Sequence, residues 1–437
     1  MFNSIFPPTD SSPSAAVKAG SLGQNITVSA SAGTGKTWLL VTRMIRLLLD
    51  GARPEGLLAI TFTRKAAAEM QTRLRERLLI LACASSLELD DELQRMGIAA
   101  TVQHQHAARG LYESLLRTPY PPRTTTFHAF CQDVLRRFPL EAGVAPGFEL
   151  LDATRALEHE ALDALYSEAT LSPDGPQGMA LERLYDGIGA AENALLNFLA
   201  HRSEWWAYTD GQTDPVAFAA EDTRNLLGVD PGFDPLTHFL ATCRDDAAEF
   251  ALLLQKHGTD TNLAHAARIE TALQNDDAVK CFALLKAAFL TQDEQPLKRK
   301  ASKAQLKSLG ASGEARFLHL HEQLATRMLA TLDMLRAQQT LQQSCAWHCA
   351  GHRLIEHYQR IKDERRQLDF NDLEWKTYTL LTRSDNAQWV QYKLDQRIDH
   401  VLIDEFQDTN PIQWRLLLPL LSELAAGGDE RARSVFL

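Results

Sequence analysis

The sequence predicts an α/β fold in which a parallel-sheet domain is interrupted by an all-helical domain. Towards both ends of the chain, short apolar runs alternate with helical patterns, which is typical of a parallel sheet with helices on both faces. Between residues 152 and 366, Leu, Ala and aromatic residues instead recur at helical spacing and no convincing strand appears. The chain has 437 residues and 45% hydrophobic content, enough for two cores.

Five strands are predicted, each a short apolar or β-branched run: Ile26–Ser29, Leu57–Phe62, Thr124–Phe127, His400–Ile403 and Ser434–Leu437. A helical pattern follows each of the first three. The predicted domains are therefore a first sheet segment (1–151), a helical inserted domain (152–366) and a second sheet segment (367–437). Within the insertion, residues 291–313 are rich in Gln, Pro, Lys, Ser and Gly, which predicts its least ordered part.

The turn between the first strand and the first helix has the composition of a phosphate-binding loop. Gly33 and Gly35 allow backbone N–H groups to point at phosphate from a tight turn at a helix N-terminus. Lys36 provides an ammonium for the outer phosphates, and Thr37 a hydroxyl for Mg²⁺. Ala30 stands where the usual pattern has its first glycine. The predicted nucleotide-binding residues are Ala32, Gly33, Thr34, Gly35, Lys36 and Thr37.

An acidic pair, Asp404 and Glu405, directly follows the apolar strand His400–Ile403. Ligands of parallel sheets bind at the carboxyl ends of the strands, where the phosphate-binding loop also lies. We expect Asp404 to hold Mg²⁺ together with Thr37, and Glu405 to orient and deprotonate the attacking water. The sequence thus predicts a site for ATP and Mg²⁺.

Several other function classes receive little support. A net charge of −11 disfavours a large polyanion-binding face, although residues 1–150 are slightly basic and single-stranded nucleic acid can be held locally by stacking. Six irregularly spaced cysteines do not indicate a disulfide framework. Cys345, His348, Cys349 and His352 lie on one predicted helix, whose rise of ~1.5 Å per residue separates the outer pair too far for tetrahedral zinc. Without a membrane-spanning run or signal pattern, a cytoplasmic protein with no membrane partner is expected.

Five segments occur in the order found in one helicase superfamily: SASAGTGKT (29–37), ITFTRKAAAEM (60–70), TFHAFC (126–131), DFNDL (369–373) and IDEFQDTNP (403–411). They resemble motifs I, Ia, Ib and II of the UvrD/Rep (superfamily 1A) DNA helicases. Within that family, the wording around Asp404 and the long helical insertion are similar to AddA, one of the two chains of the bacterial AddAB helicase–nuclease.

The resemblance implies a RecA-like P-loop domain and a set of site residues. Lys36, Asp404, Glu405 and Gln407 match catalytic positions, with Gln407 linking the ATP site to DNA binding. Thr61, Phe62, Thr63, Arg64 and His128 match positions near single-stranded DNA, and an aromatic ring such as that of Phe62 provides a stacking platform for bases.

The resemblance also implies the setting of the whole protein. It would be an ATP-dependent 3′→5′ DNA helicase of double-strand-break repair and recombination, acting on DNA ends with an exonuclease activity and with a second, AddB-like subunit. This chain matches the N-terminal half of the motor and ends before motif III, so we expect it to turn over ATP barely or not at all by itself, since arginines of a second motor domain complete such sites.

Three alternatives remain. A UvrD/Rep helicase without nuclease, or a RecB-type chain, would share all five motifs. A non-catalytic DNA-binding scaffold could retain the P-loop fold, although the intact Lys36, Thr37, Asp404 and Glu405 count against it. A P-loop kinase or transferase would lack the TFHAFC and DFNDL segments.

Overall fold

The computed structural model describes residues 25–28, 35–187, 190–300, 302–426 and 432–437. These residues divide into two compact units. The sheet unit comprises residues 1–159, 201–208 and 358–437, and the helical unit comprises residues 160–200 and 209–357. No helix in the described part of the chain has the length and apolar character needed to cross a membrane.

The sheet unit contains these elements, in chain order: α1 (Lys36–Leu49), β1 (Leu57–Thr61), α2 (Arg64–Cys83), α3 (Ser86–Arg95), α4 (Val102–Arg117), β2 (Arg123–Thr126), α5 (Phe127–Arg137), β3 (Glu149–Leu150), the start of α6 (Arg155–Leu171), α9 (Arg202–Tyr208), the end of α14 (Lys303–Glu364), β4 (Gln367–Leu368), α15 (Phe370–Thr382), α16 (Ala387–Asp395), β5 (His400–Ile403), α17 (Pro411–Ala426) and β6 (Ser434–Phe436). Short 3-10 helices lie at Pro54–Gly56 and Phe406–Asp408.

The main sheet is parallel throughout, with the strand order β2-β1-β5-β6. Ile26 extends it beyond β6, because its N–H donates to the Val435 carbonyl at 3.0 Å and its carbonyl accepts from Leu437 N–H at 2.9 Å. The strands predicted near residues 57, 124, 400 and 434 are confirmed, and the described part of the first predicted strand lies at the sheet edge. β1 and β5 are neighbours although hundreds of residues separate them, which brings the two predicted sheet segments into one sheet.

The sheet has a core on each face, because alternate residues of a strand point to opposite sides. Leu58 and Ile60 of β1 join the core formed with α5, α15 and α17. Leu57 and Ala59 join the core formed with α1 and α2. Burial on both faces explains why these strands read as continuous apolar runs rather than alternating ones.

The helical unit contains most of α6, then α7 (Pro176–Gly187), α8 (Ala191–Ala200), α10 (Pro215–Leu227), α11 (Pro235–His257), α12 (Asp260–Leu273), α13 (Ala278–Phe289) and most of α14. Its core is rich in phenylalanine, with Phe250 stacked on Phe317 at a centroid distance of 4.8 Å. Among its described residues, the β pairing is a single isolated bridge between Leu290 and Pro296. The α/β class with an extended helical segment is thus observed.

Two sequence-based expectations need correction. Residues 303–313, predicted to be poorly ordered, belong to α14, which has non-helical dihedral angles at Gly310 (φ 74°, ψ 169°). Burial of Gln305 and Leu309 overrides the polar composition there. The short parallel pair β3–β4 was not predicted, because two-residue strands show no periodicity.

The contact-based units also differ from the predicted boundaries at 151 and 366. Residues 201–208 and 358–366 cluster with the sheet unit. The reason is a set of buried ion pairs in which Arg202 and Lys362 contact Asp369, at the N-terminus of α15. The domain limits themselves remain a prediction.

Candidate nucleotide and nucleic-acid sites

Helix α1 begins at the residue predicted to bind phosphate. Gly35 is its N-cap and has left-handed dihedral angles (φ 85°, ψ 25°), a conformation that favours glycine. Lys36 and Thr37 therefore occupy the first turn, beside N–H groups that have no partner within the helix. Buried Leu40, Val41 and Met44 fix the helix against the sheet. The predicted residues Ala32, Gly33 and Thr34 lie outside the described part of the chain.

The acidic pair stands at the carboxyl end of β5, as predicted. The N–H of Asp404 donates to the Ile60 carbonyl at 2.9 Å, which continues the strand ladder to this residue. One carboxylate oxygen of Asp404 accepts from the Glu405 N–H at 3.1 Å. Glu405 itself has left-handed dihedral angles (φ 53°, ψ 41°), an uncommon conformation for a residue with a side chain that is often found at functional sites.

Lys36 and Glu405 meet directly across the sheet edge. The Lys36 ammonium donates to Glu405 Oε2 at 2.7 Å, and the Gln407 amide donates to the same oxygen. These contacts join three of the four predicted catalytic residues in one hydrogen-bonded group.

The two carboxylates differ in electrostatic environment. Burial, followed by the neighbouring charge of Glu405, raises the pKa of Asp404, which is only 8% exposed. The hydrogen bonds from Lys36 and Gln407 lower the pKa of Glu405, and the same pair raises the pKa of Lys36. Glu405 is therefore ionised at neutral pH.

A cavity of about 530 Å³ opens at this edge and is called the Lys36 cavity here. Its described lining comprises Thr27, Val28, Lys36, Leu39, Leu40, Ile403, Asp404, Glu405, Phe406, Gln407, Phe436 and Leu437. An ammonium, two carboxylates and the N-terminus of a helix suit a phosphate group and a hard divalent cation, which prefers oxygen ligands. The residues present therefore fit the predicted ligand chemistry.

A second cavity, of about 330 Å³, lies in the same unit at the ends of β1 and β2 and is called the Phe62 cavity here. It is lined by Phe62, Arg64, Thr126, His128, Ala129, Gln132, Leu150, Asp152 and Phe370. Three predicted DNA-binding residues, Phe62, Arg64 and His128, are thus brought together. The edge of the His128 ring also contacts Phe370, with a centroid distance of 5.0 Å.

Two predicted DNA-binding residues are placed differently. Thr61 is buried at the end of β1, and the Thr63 hydroxyl accepts from the Ala66 N–H at 3.0 Å as the N-cap of α2. Neither side chain lines the Phe62 cavity.

Sequence reasoning missed Glu374, which is 4% exposed and directly contacts His128. Its Oε1 lies 2.9 Å from His128 Nε2 and accepts from Gln413 Nε2 at 2.6 Å, while its Oε2 accepts from Asn410 Nδ2 at 3.0 Å. Burial acts to raise the pKa of Glu374, but its hydrogen bonds, that from His128 first, outweigh burial and hold the pKa below its usual range. The only signal in the sequence is that Glu374 directly follows the DFNDL segment.

The cysteine and histidine set of the helical unit lies on α14, in a stretch without a break. Within the described ranges, no group of three or more His, Cys, Asp or Glu side chains is arranged to hold a metal ion. Burial is the main cause of the raised pKa of both Cys345 and Cys349, so their thiols stay protonated at neutral pH.

Comparison with known proteins agrees with this geometry. The family model of the UvrD/REP helicase N-terminal domain matches residues 10–215 and 247–430. Three relatives are each described as the first of the lettered subunits of an ATP-dependent helicase/nuclease, which corresponds to AddA. They come from Listeria monocytogenes serotype 4a (strain HCC23), Lactobacillus helveticus (strain DPC 4571) and Enterococcus faecalis (strain ATCC 700802 / V583), and are 25%, 26% and 27% identical to this chain.

These alignments cover 93%, 92% and 93% of this chain and 33%, 34% and 32% of the three relatives. The chain therefore spans about a third of the length of the curated relatives it matches. The family match extends over well more than half of the chain and includes every described residue of the two cavities except Phe436 and Leu437. The chain belongs to the UvrD/Rep helicase family and carries its N-terminal domain.

Proposed function

We propose that this chain is the N-terminal, nucleotide-binding part of an ATP-dependent 3′→5′ DNA helicase. The observation that supports this most strongly is the convergence of Lys36, Asp404, Glu405 and Gln407 on one cavity at the carboxyl edge of the sheet. A second cavity in the same unit carries Phe62, Arg64 and His128.

In the proposed nucleotide site, the N–H groups of residues 32–35 and of the first turn of α1 would hold the phosphates, and Thr37 and Asp404 would hold Mg²⁺. The metal ion, when bound, neutralises negative charge on the phosphates. Lys36 would bind the outer phosphates, so phosphate competes with Glu405 for its ammonium. Once released, the ionised Glu405 would orient a water molecule and accept its proton, and Gln407 would keep the carboxylate in place.

In the proposed nucleic-acid site, Phe62 would stack on a base and Arg64, which is exposed at the start of α2, would contact a phosphate. Thr61 and Thr63 would contribute through the backbone at the end of β1 and the start of α2, because one side chain is buried and the other caps the helix. His128 would complete the site from the start of α5.

For the whole protein, we propose the helicase motor of a helicase–nuclease that repairs double-strand breaks, in complex with a second, AddB-like subunit. The names of the relatives support this setting. The helical residues would then form a domain inserted into a RecA-like domain, between segments 1–151 and 367–437. A UvrD/Rep helicase without nuclease is the second candidate, since the family match covers its N-terminal domain equally.

The test is steady-state ATP hydrolysis with and without single-stranded dT20, on the complete gene product and on the 437-residue chain side by side. Lys36→Ala should abolish DNA-stimulated turnover, and the matched control Lys376→Ala, on α15, should not. Hydrolysis that ignores both DNA and Lys36→Ala would overturn the proposal, and no hydrolysis in either protein would favour a non-catalytic scaffold.

A further inference from the structure

The hydrogen-bonding of Glu374 points to a role beyond packing. Its buried carboxylate accepts from side chains of two other helices: His128 at the start of α5, and Asn410 and Gln413 at the start of α17. A buried carboxylate that is fully hydrogen-bonded fixes the groups around it, because breaking any one bond leaves a polar atom unsatisfied in a low-dielectric site.

This arrangement sets the chemical state of the His128 ring. A carboxylate at the pKa of Glu374 is ionised and can only accept, so Nε2 of His128 carries the proton that the 2.9 Å contact requires. The neutral ring then presents Nδ1 as an acceptor. The Phe370 ring packs against the imidazole at a centroid distance of 5.0 Å, so both the tautomer and the orientation of His128 are determined from α15.

The other end of the network is joined to the nucleotide site by a short stretch of chain. Asn410 and Gln413 cap each other: the Gln413 N–H donates to Asn410 Oδ1 at 2.7 Å, and the Asn410 N–H donates to Gln413 Oε1 at 3.1 Å. Only five residues separate Asn410 from Glu405, and the 3-10 helix Phe406–Asp408, which includes Gln407, fills most of that stretch.

We propose that Glu374 is a positioning residue that holds His128 in the orientation used for single-stranded DNA and ties it to the segment carrying Glu405 and Gln407. This inference rests on the proposed function. Glu374 lines neither cavity, so it acts through His128 and not by contact with DNA or nucleotide.

The test compares two substitutions of similar length in the 437-residue chain. Glu374→Gln retains a side-chain oxygen that can accept from His128 and Gln413, whereas Glu374→Met has none. Binding of fluorescein-labelled dT20 should be weakened about tenfold in Glu374→Met and by less than about twofold in Glu374→Gln. Binding of mant-ADP with Mg²⁺ should stay within about twofold in both variants, because Glu374 is outside the Lys36 cavity.

A double-mutant cycle separates positioning from general destabilisation. If Glu374 acts through His128, the double variant Glu374→Met/His128→Ala should bind dT20 no more weakly than His128→Ala alone. The matched control is Asp399→Asn, which disrupts a buried ion pair with Arg53 in the same unit and should leave dT20 binding unchanged. If Glu374→Met does not fold, Asn410→Ala replaces it and should weaken dT20 binding about threefold.

Four outcomes decide the matter. No dT20 binding by the unsubstituted chain would overturn the proposed function and this inference with it. Binding that His128→Ala weakens and Glu374→Met leaves unchanged would overturn the inference alone. Additive losses in the double variant, or equal losses in the Gln and Met variants, would do the same. Non-additive loss with rescue by Gln would support it.

Discussion

Replacing Lys362 with methionine should destabilise the sheet unit far more than an ordinary surface substitution. The Lys362 side chain is 0% exposed, and its ammonium donates to Asp369 Oδ2 at 2.8 Å and to Asp372 Oδ2 at 2.5 Å. Asp369 also accepts from the Tyr358 hydroxyl at 2.8 Å and contacts Arg202 at 2.5 Å. Two cations thus balance two carboxylates, and both carboxylates cap the N-terminus of α15.

The magnitude follows from the charge left behind. In Lys362→Met, Arg202 alone faces Asp369 and Asp372, so one buried negative charge is uncompensated. Removing one partner of a buried ion pair costs about 3–5 kcal/mol. The control Lys376→Met makes the same chemical change at a partly exposed position of α15 and should cost less than about 0.5 kcal/mol.

The cost should depend on pH. Burial acts to raise the pKa of Asp369, but Lys362 and Arg202 outweigh it and hold the pKa below its usual range. The unsubstituted unit therefore loses stability from this carboxylate only as pH falls through that depressed pKa. In Lys362→Met the carboxylate pKa values rise, protonation relieves the unpaired charge, and the stability difference should narrow as pH falls from 7 towards 5.

Urea unfolding followed by tryptophan fluorescence measures the effect on the correct unit. Every tryptophan except Trp347 lies in the ranges of the sheet unit, so the signal reports mainly on it. A loss below about 1 kcal/mol in Lys362→Met, or an equal loss in Lys376→Met, would refute the charge-balance reasoning. A stability difference that widens on acidification would refute the electrostatic assignment specifically.

Three further predictions concern the same unit. Burial lowers the pKa of His400 to about 4, so the ring stays neutral in the fold and stability should fall by at most about 3 kcal/mol as pH drops from 6.5 to 4; urea unfolding against pH should show this slope, and His400→Asn should remove it. Gly56→Ala would place a Cβ 2.3 Å from Asp399 Oδ2 and should lower the unfolding free energy by about 1–3 kcal/mol, whereas Gly110→Ala, in open space on α4, should not lower it. Because burial and Glu405 raise the pKa of Asp404, Mg²⁺-dependent binding of mant-ADP should weaken on acidification at higher pH than an ordinary aspartate would give; an affinity independent of pH between 8 and 5 would contradict that role.

The parts of the fold that could be predicted are those with a strong local signal. β1 and β5 are buried on both faces, so their sequences are continuous apolar runs that stand out from the helices around them. Parallel strands end at a common edge, which is why Lys36 and Asp404 could be expected in one site although the chain between them is long. The pairing of Lys36 with Glu405 could not be predicted, because it depends on the left-handed backbone of Glu405.

The parts that escaped prediction depend on distant partners. Glu374 looks like an ordinary helix-surface carboxylate in the sequence, and only the packing of α5 and α17 against α15 shows that it is buried. Arg202 lies far from Asp369 along the chain, so its pairing with that carboxylate leaves no local pattern. The β3–β4 pair is too short for any periodicity.

The central claim is that two cavities of one unit bind different ligands, nucleotide at Lys36 and single-stranded DNA at Phe62. The most direct measurement is the affinity of the 437-residue chain for mant-ADP with Mg²⁺ and for labelled dT20, in the unsubstituted protein, in Lys36→Ala and in Phe62→Ala. We expect Lys36→Ala to lose nucleotide and keep dT20, and Phe62→Ala to keep nucleotide and bind dT20 more weakly. Nucleotide binding that survives Lys36→Ala, or dT20 binding that Phe62→Ala leaves unchanged, would contradict the assignment of these cavities.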